Sequence, residues 1–509
     1  MSASGDVNIT VSDGQGGVAS APLQKVQAVI GCSSIGVNYQ IVATRNPATL
    51  VSTAGYGTGV EAAALTCQAG GIVLFVKTPL TTKGVASTVA HTGTGSSVMS
   101  VTLDGTLGAF DDYNFKVIPV LAGTVGTGPA AIQISVDAGR NYGPPIQLGP
   151  ATTYVVVNTG VTLSFTVGTL VVGDTYTLHC TGPVMQTTDT QTALNTLAGS
   201  QYGAVGWGST HIVGNVGGAV ALKGGVPGAD AQTIEGYADG LAANFNFIRI
   251  ILAARDASPP TAYGGSAESD ATWYGSLAAD YATVSARRIS AWGGYYNIPT
   301  AIGSNASYGA ARMRRSAAWA AAARQVAIPP QRMSSRVKDG SLTQIVVDAA
   351  NDPLDGFLYH DDGSQGPLDT ARFGALRTRK GNPGYFVSHP NLMSPPGSDF
   401  NWLPKGVVID VACQLVNQIG DQFIDDDMRV NPNGTLFEND ARYIETVMGK
   451  FIDSVMLTQG MVSGATVVTV DRSANVSTTS KVPIKVTIFG RGYIDEIDAV
   501  VGFNNPLVA

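Results

Sequence analysis

The sequence predicts a multidomain α/β and β protein, in which an α/β core carries an inserted all-β domain and ends in a β-strand arm on each side. Three patterns predict this class: period-two alternation at both ends, apolar strands alternating with helices through most of the chain, and short β-type runs between turns in one long stretch. At 509 residues the chain is too long for one ordinary core. The predicted divisions are residues 1–19 for the N-terminal arm and linker, 20–82 with 186–472 for the core, 83–185 for the inserted outer β-domain, and 473–509 for the linker and C-terminal arm.

The N-terminal arm begins almost at the first residue. Val7, Ile9 and Val11 alternate with polar residues, and the glycine-rich stretch 13–17 follows. Such alternation indicates a strand with one buried face. Because a lone strand is marginal in water, this segment needs a sheet to join, either in its own chain or at the open edge of a neighbouring molecule.

The core begins with a strand over Val26–Ile30 and a helix that opens at Asn46-Pro47. A second helix over Glu61–Ala69 ends at two glycines, as helices commonly do. The fully apolar run Ile72–Val76 is typical of a strand inside a covered sheet.

The predicted inserted domain differs from the core in composition, because it has few charged residues and many Gly and Pro residues. Regular short strands with turn signals between them favour a small sandwich or barrel. The predicted strands are Ser97–Leu103, Asn114–Val120, Ala131–Asp137, Thr153–Val157, Thr162–Val167 and Thr175–His179.

The α/β pattern returns after about residue 186. Apolar residues at helical spacing predict helices, of which the stretch from Asp270 is the most regular. The predicted helices are Ile234–Asn244, Asp270–Ser290, Tyr308–Val326 and Asn439–Leu457, and the predicted strands are Phe247–Ala253 and Ile345–Val347.

The C-terminal arm repeats the period-two pattern. Val482, Ile484, Val486 and Ile488 alternate with polar residues or proline, after a polar linker at 473–480. A glycine turn then leads into a last run over Tyr493–Phe503. The residues that we expect to form intersubunit strand arms are Val7, Ile9, Val11, Val482, Ile484, Val486, Ile488, Tyr493, Ile497 and Val501.

Composition argues against several functions. The net charge is −7, whereas nucleic-acid binding usually needs a basic surface. No stretch reaches the roughly 18 apolar residues of a membrane span, and the first residues do not form a secretory signal. We therefore expect no nucleic-acid partner, no direct membrane insertion, and synthesis in a cytoplasm.

Signs of catalysis are weak. The chain has no phosphate-binding P-loop, no nucleophile elbow and no zinc-protease motif, so we predict no enzyme, no cofactor and no metal. Three patterns leave alternatives open: the loop Gly55–Gly59 is a plain glycine turn or an anion site, and the acidic groups at His360–Asp362 and Asp425–Asp427 are solvated or hold a cation. Cys32, Cys67, Cys180 and Cys413 are buried thiols or form disulfides.

One segment is strongly basic. Residues 312–380 carry eleven Lys and Arg against seven Asp, a net +4, which leaves −11 for the rest of the chain. Such polarity can fix the register between subunits or against an acidic partner, although solvated helix faces and intrachain pairs would explain it as well. The candidate residues facing a partner are Arg372, Arg377, Arg379 and Lys380.

The order of these segments resembles the tail sheath proteins of contractile-tail bacteriophages and related contractile injection systems. The resemblance extends over nearly the whole chain, although no single motif in it is diagnostic. The stretches that carry it are 5–9, the alanine-rich helix leading to Ile72–Val76, 110–117, 172–176, Val482–Ile488 and Tyr493–Ile497.

This resemblance implies a structural role. Sheath subunits form stacked hexameric rings around a tail tube, with baseplate and tail terminator proteins at the ends and terminal arms that add strands to neighbours. The sheath is assembled in the host cell cytoplasm, becomes part of the virion tail, and contracts to drive the tube through the host envelope. Part of the basic segment 312–380, or alternatively helix Asn439–Leu457, would face the tube or the next ring.

Two other classes remain as alternatives. A self-assembling surface protein of the S-layer type would also have little charge and many Thr, Gly and Val residues, but the α/β portions and the expected lack of a signal count against it. An α/β enzyme with a β-insert would need a nucleophile, a base and an orienting group from distant parts of the chain.

Overall fold

The computed structural model describes residues 25–217, 225–258, 268–302, 307–345, 362–495 and 497. The chain divides into two compact units, one that extends to Val407 and one that begins at Val408. The predicted combination of α/β and β structure is confirmed. The predicted boundaries of the inserted domain and of the arms remain predictions, since residues 83–185 belong to the same compact unit as the α/β elements around them.

The first elements follow the predicted pattern closely. The strands expected at Val26–Ile30 and Ile72–Val76 are present, and both helices between them form. The second helix begins at Thr58, three residues earlier than predicted, and a short strand precedes the first helix. These elements are β1 (Val26–Gly31), β2 (Ile41–Thr44), α1 (Pro47–Ala54), α2 (Thr58–Gln68) and β3 (Ile72–Lys77).

Residues 83–185, all of which the structure describes, contain strands and no helix. All six predicted runs are strands, and their inward-facing apolar residues, among them Phe115, Ile132 and Tyr176, form one core. The strands are β4 (Val85–Ala86), β5 (Ala90–Thr92), β6 (Met99–Leu103), β7 (Tyr113–Leu121), β8 (Gly123–Thr124), β9 (Ala131–Ser135), β10 (Ile146–Gln147), β11 (Thr153–Val156), β12 (Val161–Phe165), β13 (Thr169–Leu170), β14 (Thr175–Thr181) and β15 (Val184–Met185).

Two sheets organise this β-rich segment. One has the order β10-β9-β7-β14-β4, with β5 also pairing β14, and the other has the order β11-β12-β6. The pairings in both are antiparallel.

The remainder of the first unit alternates helices with strands. It continues with α3 (Thr187–Ala198), α4 (Gln201–Val205), β16 (Ser209–Ile212), β17 (Asn215–Val216), α5 (Gly228–Ala243), β18 (Arg249–Ala253), α6 (Asp270–Asp280), β19 (Ile289–Trp292), β20 (Tyr295–Pro299), β21 (Arg312–Ser316), α7 (Ala317–Ala327), α8 (Asp362–Thr370), β22 (Leu376–Arg379) and β23 (Asn382–Val387).

A six-stranded sheet lies at the centre of this unit. Its order is β19-β18-β16-β1-β3-β2, and every pairing is parallel except that of β2 with β3. One face packs against Leu194 of α3, Ile234 of α5 and Trp273 of α6. The other face packs against the alanine-rich helices α2 and α7. Burial on both faces explains why the strands are almost entirely apolar.

The predicted helix Asp270–Ser290 is wrong in its second half. Ser269 caps α6, which ends at Asp280, and Ile289–Trp292 is a buried strand parallel to β18. The backbone N–H groups of Arg287 and Arg288 donate to the carboxylate of Glu235 at 2.9–3.1 Å. The strand pairing and this carboxylate, both distant in sequence, override the local helical spacing.

The predicted helix Tyr308–Val326 is also wrong at its start. Arg312–Ser316 forms β21, antiparallel to β20, and the helix begins only at Ala317. The side chain of Ser316 accepts a hydrogen bond from the N–H of Ala318, which is the usual role of a serine at a helix start. Of the predicted strand at 345–347, Ile345 lies in a bend, and the other two residues lie outside the described residues.

The second unit is built around one long helix. The predicted helix Asn439–Leu457 is confirmed, with Ile444, Met448 and Ile452 buried along one side. An earlier helix, which was not predicted, begins in the first unit and continues past Val408. The elements are α9 (Leu403–Gly420), α10 (Glu438–Met456), β24 (Val467–Val470), α11 (Val476–Thr479) and β25 (Ile484–Thr487).

One buried histidine stands out in the central sheet. His211 lies on β16 between Val29 and Ile251 and is 1% exposed. Its two ring nitrogens have no hydrogen-bond partner among the described residues. Burial lowers the pKa of this imidazole from 6.5 to about 3, because the charged form is poorly solvated there.

We expect the substitution His211→Leu to stabilise the protein. A buried polar group without a partner costs about 1–3 kcal/mol, so the free energy of unfolding should rise by an amount of that order at pH 7. In the unfolded wild type, His211 binds a proton below pH 6.5, whereas in the folded wild type it does so only near pH 3. Between pH 7 and pH 5 the free energy of unfolding of the wild type should therefore fall by about 2 kcal/mol more than that of the leucine variant. Urea unfolding at the two pH values measures both effects, and a variant with the same pH dependence as the wild type would contradict this account.

Candidate assembly surfaces

The predicted C-terminal arm forms part of a hairpin in its own chain. β25 pairs antiparallel with β24, so that Val468 lies opposite Val486 and Val470 lies opposite Ile484. Val482, Val486 and Ile488 are half-buried against the two apolar clusters of the second unit, whereas Ile484 is exposed. Val7, Ile9, Val11 and Val501 lie outside the described residues.

Polar contacts fix the hairpin on α10. Glu445 accepts a hydrogen bond from the N–H of Val470 at 2.8 Å, and Asp453 accepts one from the N–H of Thr466 at 2.8 Å. Arg472, two residues after the end of β24, forms ion pairs with Glu445 and Glu438. The hydrogen bond from Arg472 holds the pKa of Glu445 below its usual range.

The hairpin has two outer edges. Within the part of the chain that the structure describes, β24 and β25 pair only with each other. The unpaired N–H and C=O groups of an edge strand are a template for a further strand from another molecule. The face turned away from α10 carries Val467, Thr469, Lys485 and Thr487, all of which are exposed.

The chain leaves this hairpin with its apolar residues exposed. The N–H of Ser463 donates to the carbonyl of Phe489 at 2.8 Å, which fixes the start of the last run. Beyond that point Tyr493 is half-buried, but Ile494 is 83% exposed and Ile497 is 79% exposed.

The four basic candidates divide into two groups. Arg372 donates to the carbonyls of Met393, Ser394 and Val284 at 2.7–3.1 Å, so its guanidinium is used inside its own unit, and burial lowers its pKa. Arg377 and Arg379 lie half-buried on β22, and Lys380 is exposed in the turn that follows. The Nε of Arg377 has no hydrogen-bond partner among the described residues. Of these four side chains, that of Lys380 is exposed and that of Arg372 is used inside its own unit.

The arginines at the start of the basic segment have partners in the chain itself. On β21, Nη2 of Arg315 lies 2.6 Å from Oδ2 of Asp111, and both side chains are buried. Arg314 forms two hydrogen bonds with Asp256, at 2.7 and 2.9 Å. The guanidinium of Arg315 also lies 4.8 Å from the ring centre of Trp319. These pairs tie the β-rich segment to the central sheet through β21, a function that the sequence analysis did not identify.

A polar cleft lies beside this junction. It is lined by Asp112, Asp137, Arg140, His179 and Arg312 among others, and its volume is about 50 Å³. That is room for a few waters, whereas pockets for organic ligands are about 300–1,000 Å³. Asp137 is occupied by hydrogen bonds from Ser135, Asn141 and the N–H of Arg312.

The structure shows the surroundings of the glycine loop Gly55–Gly59 and of the four cysteines. A Cβ added at Gly59 would lie 3.0 Å from the ring of Phe75 and 3.1 Å from Gly31, so this glycine lets the first turn of α2 pack closely against β1 and β3. The four cysteines, all among the described residues, form no disulfide with one another, and burial raises the pKa of Cys32 to about 11 and of Cys67 and Cys180 to about 12.

The described residues contain neither a cluster suited to a metal ion nor a helix suited to a membrane. In those ranges no group of three or more His, Cys, Asp or Glu side chains is arranged to hold a metal ion. Among the helices described, none has the length and apolar character needed to cross a membrane. Of the acidic groups noted in the sequence, Asp425–Asp427 is exposed, and His360 and Asp361 lie outside the described residues.

Comparison with known proteins gave one family match and several similar structures. The family model described as "DUF2586, N-terminal domain" matches residues 4–391. No curated protein sequence matches the chain significantly.

The similar solved structures include sheath proteins, the family that the sequence resembles. A sheath tail protein from Listeria innocua is 11% identical, with a TM-score of 0.44, over 92% of this chain and 96% of that chain. One from Desulfitobacterium hafniense is 10% identical, with a TM-score of 0.43, over 96% and 100%. The contracted PVC sheath complex of an extracellular contractile injection system is 12% identical, with a TM-score of 0.36, over 56% and 70%.

Proposed function

The chain belongs to the DUF2586 family, and we propose that it is the structural subunit of a contractile tail sheath. In this proposal the subunits polymerise as stacked hexameric rings around a tail tube, between a baseplate and a tail terminator. Contraction drives the tube through the host cell envelope. Assembly takes place in the host cytoplasm, and the product is part of the virion tail. The role is mechanical and needs no catalytic site or cofactor.

The observation that carries this proposal is the open hairpin of the second unit. β24 and β25 have no further strand beside them in the described part of the chain. The predicted strand at 6–12 supplies period-two alternation that would fit such an edge. A polymer linked by exchanged strands keeps its subunits joined while their packing changes, which is what contraction requires.

Electron microscopy of the purified full-length chain tests the proposal. We expect hollow six-fold tubes or stacked rings in negative stain. Flat two-dimensional lattices would instead favour the self-assembling surface protein of the S-layer type. A chain that stays monomeric at high concentration would contradict both polymer functions.

We expect charge reversal on β22 to disturb assembly. The double substitution Arg377→Glu, Arg379→Glu removes the basic groups that we propose to face the tube or the next ring, so assembly should weaken and its dependence on salt should change. Sedimentation of assembled material at several salt concentrations measures this. Lys83→Glu with Lys116→Glu, which reverses two basic charges in the β-rich segment, is the control with the same change in net charge. If the double variant sediments like the control, these arginines do not face a partner.

A further inference from the structure

The residues at and after the end of α7 gather three arginines around one aspartate. Arg324 lies in the last turn of α7, and Arg332 and Arg336 lie in the turns that lead to Asp339. We call these three arginines the arginine cluster. Residues 317–345, all of which the structure describes, contain no other acidic residue. The cluster and its aspartate together therefore carry a net charge of +2.

The three guanidinium groups converge on the turn at Asp339. Nη1 of Arg332 and Nη1 of Arg336 both donate to Oδ1 of Asp339, at 3.3 and 3.0 Å. Nη2 of Arg324 donates to the carbonyl of Gly340, the next residue, at 3.3 Å. Two arginines thus share one carboxylate oxygen, while Oδ2 of Asp339 accepts no hydrogen bond from the described residues. Carboxylates frequently bind a single arginine with both oxygens, so Asp339 saturates neither of its two partners.

Most N–H donors of the arginine cluster remain without a protein partner. A guanidinium carries several N–H groups, and each of these three makes one hydrogen bond to the described part of the chain. The side chains of Arg332 and Arg336 are 40% and 43% exposed, so a ligand from solvent can reach them. A ligand with several acceptor oxygens could therefore bind here while the contact with Asp339 is kept.

The charge of the cluster is poorly compensated. Burial lowers the pKa of Arg324; the charge of Asp339 acts against this, and the charge of Arg332 adds to it. Lys338, which is exposed, contributes a further positive charge to the same turn. A half-buried guanidinium beside another guanidinium is stabilised by each additional negative charge that comes close to it.

The turn lies beside a second basic element, the hairpin of β22 and β23. The N–H of Leu342 donates to the carbonyl of Tyr385 on β23 at 2.8 Å. The partner strand β22 carries Arg377 and Arg379, and Lys380 follows it. Two neighbouring elements of the same charge raise the local concentration of anions at the surface that they share.

We propose that the arginine cluster is a binding site for a free tetrahedral oxyanion, of which inorganic phosphate and sulfate are the representatives. A phosphate group carries a charge of about −1.5 to −2 at pH 7 and strong acceptor oxygens. That charge matches the net +2 of the cluster with Asp339, whereas one more carboxylate would leave a positive charge uncompensated. Arginine suits this ligand because its planar fork donates two parallel hydrogen bonds to two oxygens. The inference is independent of the proposed function.

Calorimetric titration of the full-length chain with inorganic phosphate, at constant ionic strength in chloride, tests the site. We expect saturable binding of one ion per chain. The double substitution Arg332→Gln, Arg336→Gln should weaken it at least about tenfold, because hydrogen bonds to charged groups contribute about 1.5–3 kcal/mol each. The matched control is Arg429→Gln with Arg442→Gln, which also removes two exposed arginines, each paired with an acid of α10.

The comparison of the three proteins decides the proposal. Binding by the wild type and the control, with loss in the double variant, supports it. Equal binding by all three, or no saturable binding by the wild type, would overturn it and leave the proposed function standing. If the double variant does not fold, Arg336→Lys replaces it: this change keeps the charge and removes the fork, so phosphate should bind more weakly than to the wild type, and unchanged affinity would count against the site.

Competition between anions identifies the ligand class. Sulfate should displace phosphate, because the cluster offers N–H donors that both ions accept. Acetate at the same concentration should displace little, since it has one carboxylate and a single charge. Thermal unfolding provides a second readout: phosphate should raise the Tm in a saturable way, as a ligand of the folded state does. Displacement by acetate as effective as that by sulfate would show a carboxylate site and contradict the proposal.

Discussion

Replacing Arg315 with methionine is expected to lower the free energy of unfolding by about 3–5 kcal/mol at pH 8, because the substitution leaves the buried carboxylate of Asp111 without its cation. Glu61 and Asp112 also lie close enough to feel the charge of Arg315. The loss of the guanidinium over Trp319 adds to the effect. Equilibrium unfolding in urea measures the change.

The effect should depend on pH in a defined direction. Burial raises the pKa of Asp111 to about 7, although the charge of Arg315 acts against this. A raised folded-state pKa means that the folded chain holds a proton that the unfolded chain releases near pH 4, so stability from this group is lost as pH rises toward 7. At pH 5 Asp111 is already protonated in the folded state, so the cost of Arg315→Met should be smaller than at pH 8.

A second substitution provides the control for this prediction. Asp111→Asn in the Arg315→Met background removes the uncompensated carboxylate and should recover most of the lost stability, since replacing both members of a buried pair is often nearly neutral. An equal loss in the single and double variants would show that the cost comes from packing against Trp319 instead.

Removing residues 1–15 is expected to abolish polymerisation while leaving a folded monomer. The deletion takes away Val7, Ile9 and Val11, whose burial in a neighbouring subunit would contribute roughly 1.5–3 kcal/mol each before ordering costs. Every subunit in the polymer would lose this contribution, so we expect the deletion to abolish polymerisation rather than to weaken it. Electron microscopy and sedimentation measure assembly, and circular dichroism checks that the monomer is folded.

Two variants with three substitutions each show whether the apolar face of this strand, rather than the length of the arm, is needed for assembly. Changing Val7, Ile9 and Val11 to aspartate should prevent assembly as the deletion does. Changing Asn8, Thr10 and Ser12 to alanine leaves the apolar face intact, so tubes should still form. If all three variants assemble like the wild type, the N-terminal segment is not an intersubunit strand.

The sequence predicted those strands and helices whose conformation is determined by residues close to them in the chain. The six runs of the β-rich segment have regular alternation and turn residues at their ends, and helix α10 has apolar residues at helical spacing over its whole length. The strand of four buried residues at Ile289 and the arginine-rich β21 were misread as helix. Their conformation is decided by pairing with β18 and β20 and by carboxylates elsewhere in the chain.

The ion pair between Asp111 and Arg315 could not be predicted from local sequence patterns. Asp111 and Arg315 are 204 positions apart, and only the fold brings them together. The excess of arginine in residues 312–380 is visible in the sequence, which leaves open both a surface for a partner and ion pairs within the chain. For Arg314, Arg315 and Arg372 the structure shows hydrogen-bond or ion-pair partners within the same unit.

The hairpin of β24 and β25 has two outer edges that are not equivalent, because one belongs to each strand. If one of these edges takes up a strand from a neighbouring copy, all linked copies point the same way. An assembly built by such links would then have two chemically different ends, so a protein that starts its growth and a protein that stops it would meet different surfaces.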